Sequence, residues 1–316
     1  MVYSSSIQVN PVTSNIGLSP QGSNYLWSLF GVFSIALIIL GFLTHARPKR
    51  HRAFHYIGMA ILAVTAVQYA AQASNLGYAS VPVEWIRSGS RGENQILAGA
   101  PIPPTRSIFY SKWVGYAITM PLIMLLVVLS TGFTLSRIFI VLFFTLLWVV
   151  CYLIGALIPT RYKWAFYTFG TVSLLYILWS ILLPGRRSSK TLGRDHDFGY
   201  FGHAIALTFF FLLYPIVWGL SEGGNLLRVA SEMFWYGAID FLLKVAWLYS
   251  FLFAIEDVDY ERFEFHSGKY TDAPRGSTAA YGPGPGGNVQ GNMAQRGGVG
   301  GPMATGTGGD PYAAQA

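Results

Sequence analysis

Glu232-Met-Phe-Trp-Tyr-Gly-Ala-Ile-Asp240-Phe-Leu-Leu-Lys244-Val-Ala-Trp-Leu-Tyr-Ser-Phe-Leu-Phe-Ala254 decides how this chain is read. The stretch is long and apolar enough to cross a bilayer as a helix. It nevertheless carries an acid and a base near its middle, Asp240 and Lys244. They are four residues apart, so they share one face, about one turn from each other. A charge at the centre of a membrane is expensive. A buried pair is tolerated there only if its two groups serve each other or something bound between the helices.

Working outward, the 316 residues are 53% hydrophobic and 11% charged. Soluble domains carry roughly a quarter charged residues, so lipid is the expected solvent and the bilayer the expected partner. Seven apolar runs are predicted as spans, near Tyr25–Thr44, Phe54–Leu76, Ile108–Ser130, Leu135–Ile158, Trp164–Leu183, Phe198–Leu220 and Ser231–Ala254. Each approaches the roughly 20 residues that a spanning helix needs. Their apolarity is continuous rather than alternating, which predicts an all-α, seven-helix transmembrane bundle and not a barrel.

The formal charge of +7 would suit nucleic acid, but the basic residues gather at the ends of the apolar runs. That is a pattern of membrane orientation rather than of a nucleic-acid face. Arg47, Lys49, Arg50, Arg52, Arg137, Arg186, Arg187, Lys190 and Arg194 fall on one side, which predicts that side to be cytoplasmic. The other side holds Arg87, Arg91, Arg106, Arg161, Lys163 and Arg228, partly offset by Glu84, Glu93 and Glu222. The N-terminus is therefore expected outside and the C-terminus inside. No signal-peptide pattern precedes the first run, because Met1 to Ser23 holds no charged residue and the run is too long for an h-region.

Residues 1–24 read as a short polar extracellular segment and residues 25–255 as the transmembrane domain. Residues 256–316 read as a cytoplasmic tail, first acidic (Glu256, Asp257, Asp259) and then too rich in Gly and Pro to fold. Val81-Pro-Val-Glu-Trp85 could start a short hairpin with a later part of the same loop. Cys151 is the single cysteine, which excludes an intramolecular disulfide and a cysteine-rich metal site. His51 and His55 share a helix face without a further ligand and read as a solvated edge, so no metal is expected. No phosphate loop or nucleophile elbow is present, and no enzymatic activity is expected.

Two readings of Asp240 and Lys244 stay open on spacing alone. One is a structural ion pair. In the other, desolvation makes Lys244 a nucleophile that forms a Schiff base with a carbonyl ligand, while Asp240 balances the resulting charge. The sixth run adds Phe211, Tyr214 and Trp218 at helical spacing, with Phe209, Phe210 and Pro215 among them. With Tyr116, Phe166 and Tyr167 these rings could wall a slot for a long conjugated apolar ligand. Ordinary helix packing with a proline kink explains them as well.

Taken together, these residues resemble the microbial rhodopsins, and among them the fungal opsins. The likeness spans roughly residues 25–255. It rests on Asp240-x-x-x-Lys244, Tyr214-Pro-x-x-Trp218, Ser221-Glu-Gly223, Ile108-Phe-Tyr-Ser-Lys-Trp with Thr119-Met-Pro121, Leu153-Ile-Gly-Ala-Leu157, Tyr162-Lys-Trp164 and Ala73-Ser-Asn-Leu-Gly77. The resemblance implies all-trans retinal as cofactor, bound as a Schiff base at Lys244 with Asp240 in the counterion. It implies Tyr116, Met120, Pro121, Tyr167, Gly170, Phe211, Tyr214 and Trp218 around the chromophore. It also implies an outer-side polar group of Lys112, Glu222 and Glu232.

The departures are as telling. Where pumping members carry Arg-x-x-Asp-Trp, this chain reads Lys112-Trp-Val-Gly115-Tyr116. Gly115 replaces the primary proton acceptor, and Leu126 falls where the cytoplasmic donor would be. This resembles the opsin-related subgroup that includes stress-induced membrane proteins of yeasts, many of which lack the lysine. Three functions are expected in order: a non-pumping retinal photoreceptor; a retinal-free stress protein that modulates other membrane proteins; and a light-driven proton pump. The plasma membrane is the location the resemblance implies.

Overall fold

In the computed structural model of the chain, residues 5–47, 52–83, 104–190 and 194–255 are described. A short helix α1 (Ser5–Val9) precedes α2 (Pro20–Ala46) and α3 (Ala53–Ala73). Strands β1 (Ala79–Pro82) and β2 (Thr105–Ile108) come next, then α4 (Tyr110–Leu129) and α5 (Leu135–Leu157). Helix α6 starts at Lys163–Ser180 and runs on through a π turn, Ile181–Gly185, to Arg186–Ser189. Helix α7 (Arg194–Trp218) ends in a π turn, Gly219–Gly223. Helix α8 comprises Val229–Phe241, a π turn at Leu242–Trp247, and Leu248–Ala254. Among the described residues, α2 to α8 are the seven helices long and apolar enough to cross a membrane.

Local chemistry explains where the ends differ from the sequence reading. Helix α2 starts at Pro20 rather than Tyr25 because Ser19 caps it, accepting from the Gly22 N–H at 3.1 Å. Pro20 suits the first turn, where its missing N–H would have no helical partner. Helix α3 stops at Ala73 rather than Leu76, and Asn75 takes a positive φ of 54°, a conformation asparagine tolerates. Helix α4 begins at Tyr110 because Ile108 belongs to β2. Pro184 lies inside the α6 π turn and Pro215 inside α7, so neither proline ends its helix.

The hairpin expected to start at Val81 does form, but across the loop. Ala79 faces Ile108 and Pro82 faces Thr105 in an antiparallel pair. Ile16 adds a bridge to Arg106, and Asn10 Nδ2 donates to the Ser74 carbonyl at 2.8 Å. The N-terminal segment is thus tied to this end of the bundle. Trp85, His51, the loop to residue 103 and the tail from Glu256 lie outside the described residues. His55 is buried, not solvated: the first turn of α3 turns Phe54 and His55 inward and Tyr56 outward.

The first and last spans pack together. The Tyr25 hydroxyl donates to the Phe234 carbonyl at 3.3 Å, and the Tyr249 hydroxyl to the Ala36 carbonyl at 2.5 Å. Gly22 allows close approach, since a Cβ there would stand 3.2 Å from the Ala230 Cβ. Ile38, Phe42, Phe139, Val172 and Phe209 project outward. In water such a surface would be a liability; in lipid it is the solvated face.

Candidate functional site

Lys244 and Asp240 meet in the bundle interior, with Nζ 3.3 Å from Oδ2 and both side chains fully buried. Three helices supply hydroxyls to this carboxylate. Tyr69 of α3 donates to Oδ2 at 2.7 Å, Tyr116 of α4 to Oδ2 at 3.2 Å, and Tyr214 of α7 to Oδ1 at 2.5 Å. The site thus compensates a buried negative charge with three phenols and a cation, as such a charge requires. The Lys244 nitrogen lies 4.6 Å over the Tyr116 ring. Despite its nearness to Asp240, it makes no hydrogen bond of good geometry among the described residues. Lys244 stands in the π turn of α8.

The position of Gly115 is occupied from another helix. A Cβ on Gly115 would overlap Oε1 of Gln68 and come 2.7 Å from its Cδ. Gln68, from α3, is 4% exposed, and neither of its amide atoms has a hydrogen-bond partner among the described residues. Leu126 is buried further along α4.

Aromatic rings close around the pair. Phe211, Tyr214 and Trp218 all turn inward, whereas Phe209 is exposed and Phe210 and Phe166 only partly covered. Tyr116 meets Tyr214 at 5.5 Å between ring centres, edge to face. Tyr167 stacks on Trp218 at 5.0 Å. Met120 is buried on α4, where Pro121 comes next. Two rings absent from the sequence reading stand among these. Trp148 of α5 lies 5.2 Å from Phe211 and 6.0 Å from Tyr214. Tyr152 fills the space beside Gly170, where a Cβ would stand 2.6 Å from its ring.

These residues fit a carbonyl ligand at the lysine end: an uncommitted buried amine, a carboxylate beside it and flat rings around it. At the far end Trp148 and Tyr152 hold the volume, so a long ligand needs these rings to turn aside.

Lys112, Glu222 and Glu232 also come together. The Lys112 nitrogen lies 2.7 Å from Glu222 Oε1 and 2.6 Å from Glu232 Oε1. Arg106, counted in the sequence as a loop charge, reaches in from β2 to Glu232 Oε2 at 2.6 Å. Its other nitrogen donates to the Leu227 carbonyl at 2.7 Å and to Asn225. Ser221 and Tyr236 donate to Glu222 Oε2, the latter at 3.3 Å. All four charged side chains are buried, two cations against two carboxylates. The sequence places Lys112 and Glu232 at the ends of their runs; the hairpin covers that end and removes them from solvent. Tyr236 joins the two groups, its ring 6.2 Å from Tyr116 and 6.1 Å from Tyr214.

The sequence reading missed Tyr69, Gln68, Arg106, Tyr236, Trp148 and Tyr152 as site residues. A buried amide in an apolar run is the one signal that could have singled out Gln68. Among the described residues no three His, Cys, Asp or Glu side chains are placed to hold a metal.

Residues 22–255 match the family model described as "Bacteriorhodopsin-like protein". The chain is 39% identical over 280 residues to "Protein FDD123" of Trametes versicolor, covering 87% of this chain and 94% of that protein. It is 32% identical to "Opsin-like protein carO" of Fusarium fujikuroi, over 75% of this chain and 74% of that one. It is 29% identical to the "30 kDa heat shock protein" of Saccharomyces cerevisiae, over 71% and 69%. Among solved structures it resembles the light-driven proton pump of Coccomyxa subellipsoidea, with a TM-score of 0.68, 26% identity, and 75% and 98% coverage.

Proposed function

Because the chain belongs to the bacteriorhodopsin-like family of seven-helix membrane proteins, we propose that it binds retinal at Lys244 and acts as a photoreceptor that does not pump protons. The observation that carries this reading is the uncommitted Lys244 amine 3.3 Å from Asp240. Condensation with an aldehyde would form a C=N bond at this nitrogen and release the carbonyl oxygen as water. Bound retinal would supply light absorption. Asp240, held by three tyrosines, would balance the charge on the nitrogen, and Tyr116, Met120, Pro121, Tyr167, Gly170, Phe211, Tyr214 and Trp218 would line the chromophore.

Against transport, Gly115 has no side chain to accept a proton and Leu126 none to donate one. Glu222 and Glu232, which an outward route would use, are each held by a cation. In this reading the N-terminus faces outward and the membrane is the plasma membrane. The burial of Arg106 and Lys163 supports that orientation by removing two basic side chains from the sparser side of the charge count. The deciding experiment is an absorption spectrum of the purified protein with all-trans retinal. A visible band well to the red of free retinal is expected; a folded protein that stays colourless would overturn the reading.

Trp148 and Tyr152 favour a second reading, a retinal-free protein that modulates other membrane proteins, in keeping with the name of the heat-shock relative. Here Trp148→Met with Tyr152→Gly should convert a protein that refuses retinal into one that takes it up. Full retinal uptake by the unmodified protein would dismiss this reading.

A further inference from the structure

Three observations meet beside the buried amine. First, Asp240 is already heavily engaged, accepting from Tyr69, Tyr116 and Tyr214. The Lys244 nitrogen stands 3.3 Å from it without hydrogen-bond geometry. Second, Gln68 has a buried amide whose two atoms both lack a hydrogen-bond partner among the described residues. A buried amide left this way is costly. Third, that amide lies against Gly115, the residue before Tyr116, over whose ring the Lys244 nitrogen sits. Tyr69 comes directly after Gln68 on α3 just as Tyr116 comes directly after Gly115 on α4. Both tyrosines converge on the same oxygen of Asp240.

We propose that Gln68 is the neutral hydrogen-bond partner of the Lys244 nitrogen, delivered from α3 into the space that Gly115 leaves on α4. The amide oxygen accepts from the nitrogen, directly or through one water, while Asp240 supplies the opposing charge. An ammonium has three donors and a protonated imine one, so the role exists with or without retinal. An amide accepts a hydrogen bond but does not take up a proton near neutral pH. Gln68 therefore positions and polarises the nitrogen and leaves its proton in place. Any side chain at position 115 would compete with it, which gives glycine there a physical reason. Gly115 and Gln68 act as one unit split between two helices. The proposal stands on the geometry around Lys244; only its optical readout rests on the retinal reading.

The test is a double-mutant cycle on the full-length protein, read by thermal unfolding in detergent. Gln68→Met keeps the length of the side chain and removes the amide. It should lower Tm by a few degrees in the wild-type background and leave it unchanged or raised in the Lys244→Met background. Equal losses in both backgrounds would overturn the proposal. If Gln68→Met does not fold, Gln68→Asn withdraws the amide by one methylene and runs through the same cycle. Colour is scored separately after adding all-trans retinal. In a coloured protein, Gln68→Met should also displace the visible maximum, a change that loss of packing remote from the nitrogen would not produce. A colourless wild type with a non-additive cycle ends the retinal reading and keeps Gln68. A coloured wild type with an additive cycle ends the Gln68 proposal and keeps retinal.

Discussion

The Tyr69 hydroxyl donates to Asp240 Oδ2 at 2.7 Å, joining two helices across 171 positions of sequence. Tyr116 shares that oxygen and Tyr214 holds the other. Tyr69→Phe preserves the ring and its stacking on Phe33 at 5.2 Å but removes one donor from a buried carboxylate. A hydrogen bond to a charged group is worth about 1.5–3 kcal/mol. Thermal unfolding should fall by several degrees, and a Tm equal to that of the unmodified protein would show Asp240 to be indifferent to this bond.

Lys244→Ala should abolish any band formed with retinal, whereas Lys190→Ala, at an exposed position, should leave it intact. Spectra of the two variants beside the unmodified protein check this. A band that survives Lys244→Ala would place the chromophore elsewhere.

Asp240→Asn removes the sole carboxylate within salt-bridge distance of Lys244 among the described residues. An opposite charge nearby favours the protonated imine. Without it the visible band should give way to a near-ultraviolet one at neutral pH. A pH titration of absorbance checks this, and a titration identical to that of the unmodified protein would assign the counter-charge to another group.

Lys112→Met leaves Glu222 and Glu232 facing each other in the interior, with Arg106 on one of them. Removing one partner of a buried ionic group costs about 3–5 kcal/mol. A large fall in Tm is expected, and Lys112→Arg should recover much of it. A Lys112→Met protein as stable as the original would mean that water replaces the lysine.

Vesicles carrying the retinal-loaded protein should show no sustained light-driven pH change. Gly115→Asp alone should not create one, because its Cβ would run into Gln68. Gly115→Asp with Gln68→Ala and Leu126→Asp offers an acceptor, the room for it, and a donor. Steady acidification or alkalinisation by the unmodified protein, abolished by a protonophore, would overturn the non-pumping reading.

How much was legible in the sequence depends on how far apart the partners lie. Asp240 and Lys244 share a helix, so spacing alone paired them. Lys112, Glu222 and Glu232 were grouped by resemblance, and the fold brings them within hydrogen-bond distance. Tyr69 and Gln68 could not be assigned, because a tyrosine or glutamine inside an apolar run gives no clue to which helix it faces. Arg106 looked like a loop charge because strand pairing across a long connection, not local pattern, carries it inward. The π turns were invisible as well, since no residue type demands them. Trp148 and Tyr152 read as ordinary apolar positions, and only the packing of α5 against α6 and α7 makes them obstacles to a ligand.

The contacts of Tyr25 with Phe234 and of Tyr249 with Ala36 make the seven spans a closed ring rather than an open row. A ring has no privileged first or last member. If the polypeptide were severed in the connection between Leu129 and Leu135, the piece containing α2 to α4 would still present two cohesive edges to the remainder, one through α2 against α8 and one through α4 against α5. Co-expressed fragments should therefore find each other, and new termini at that connection should be tolerated once a linker joins the original ends.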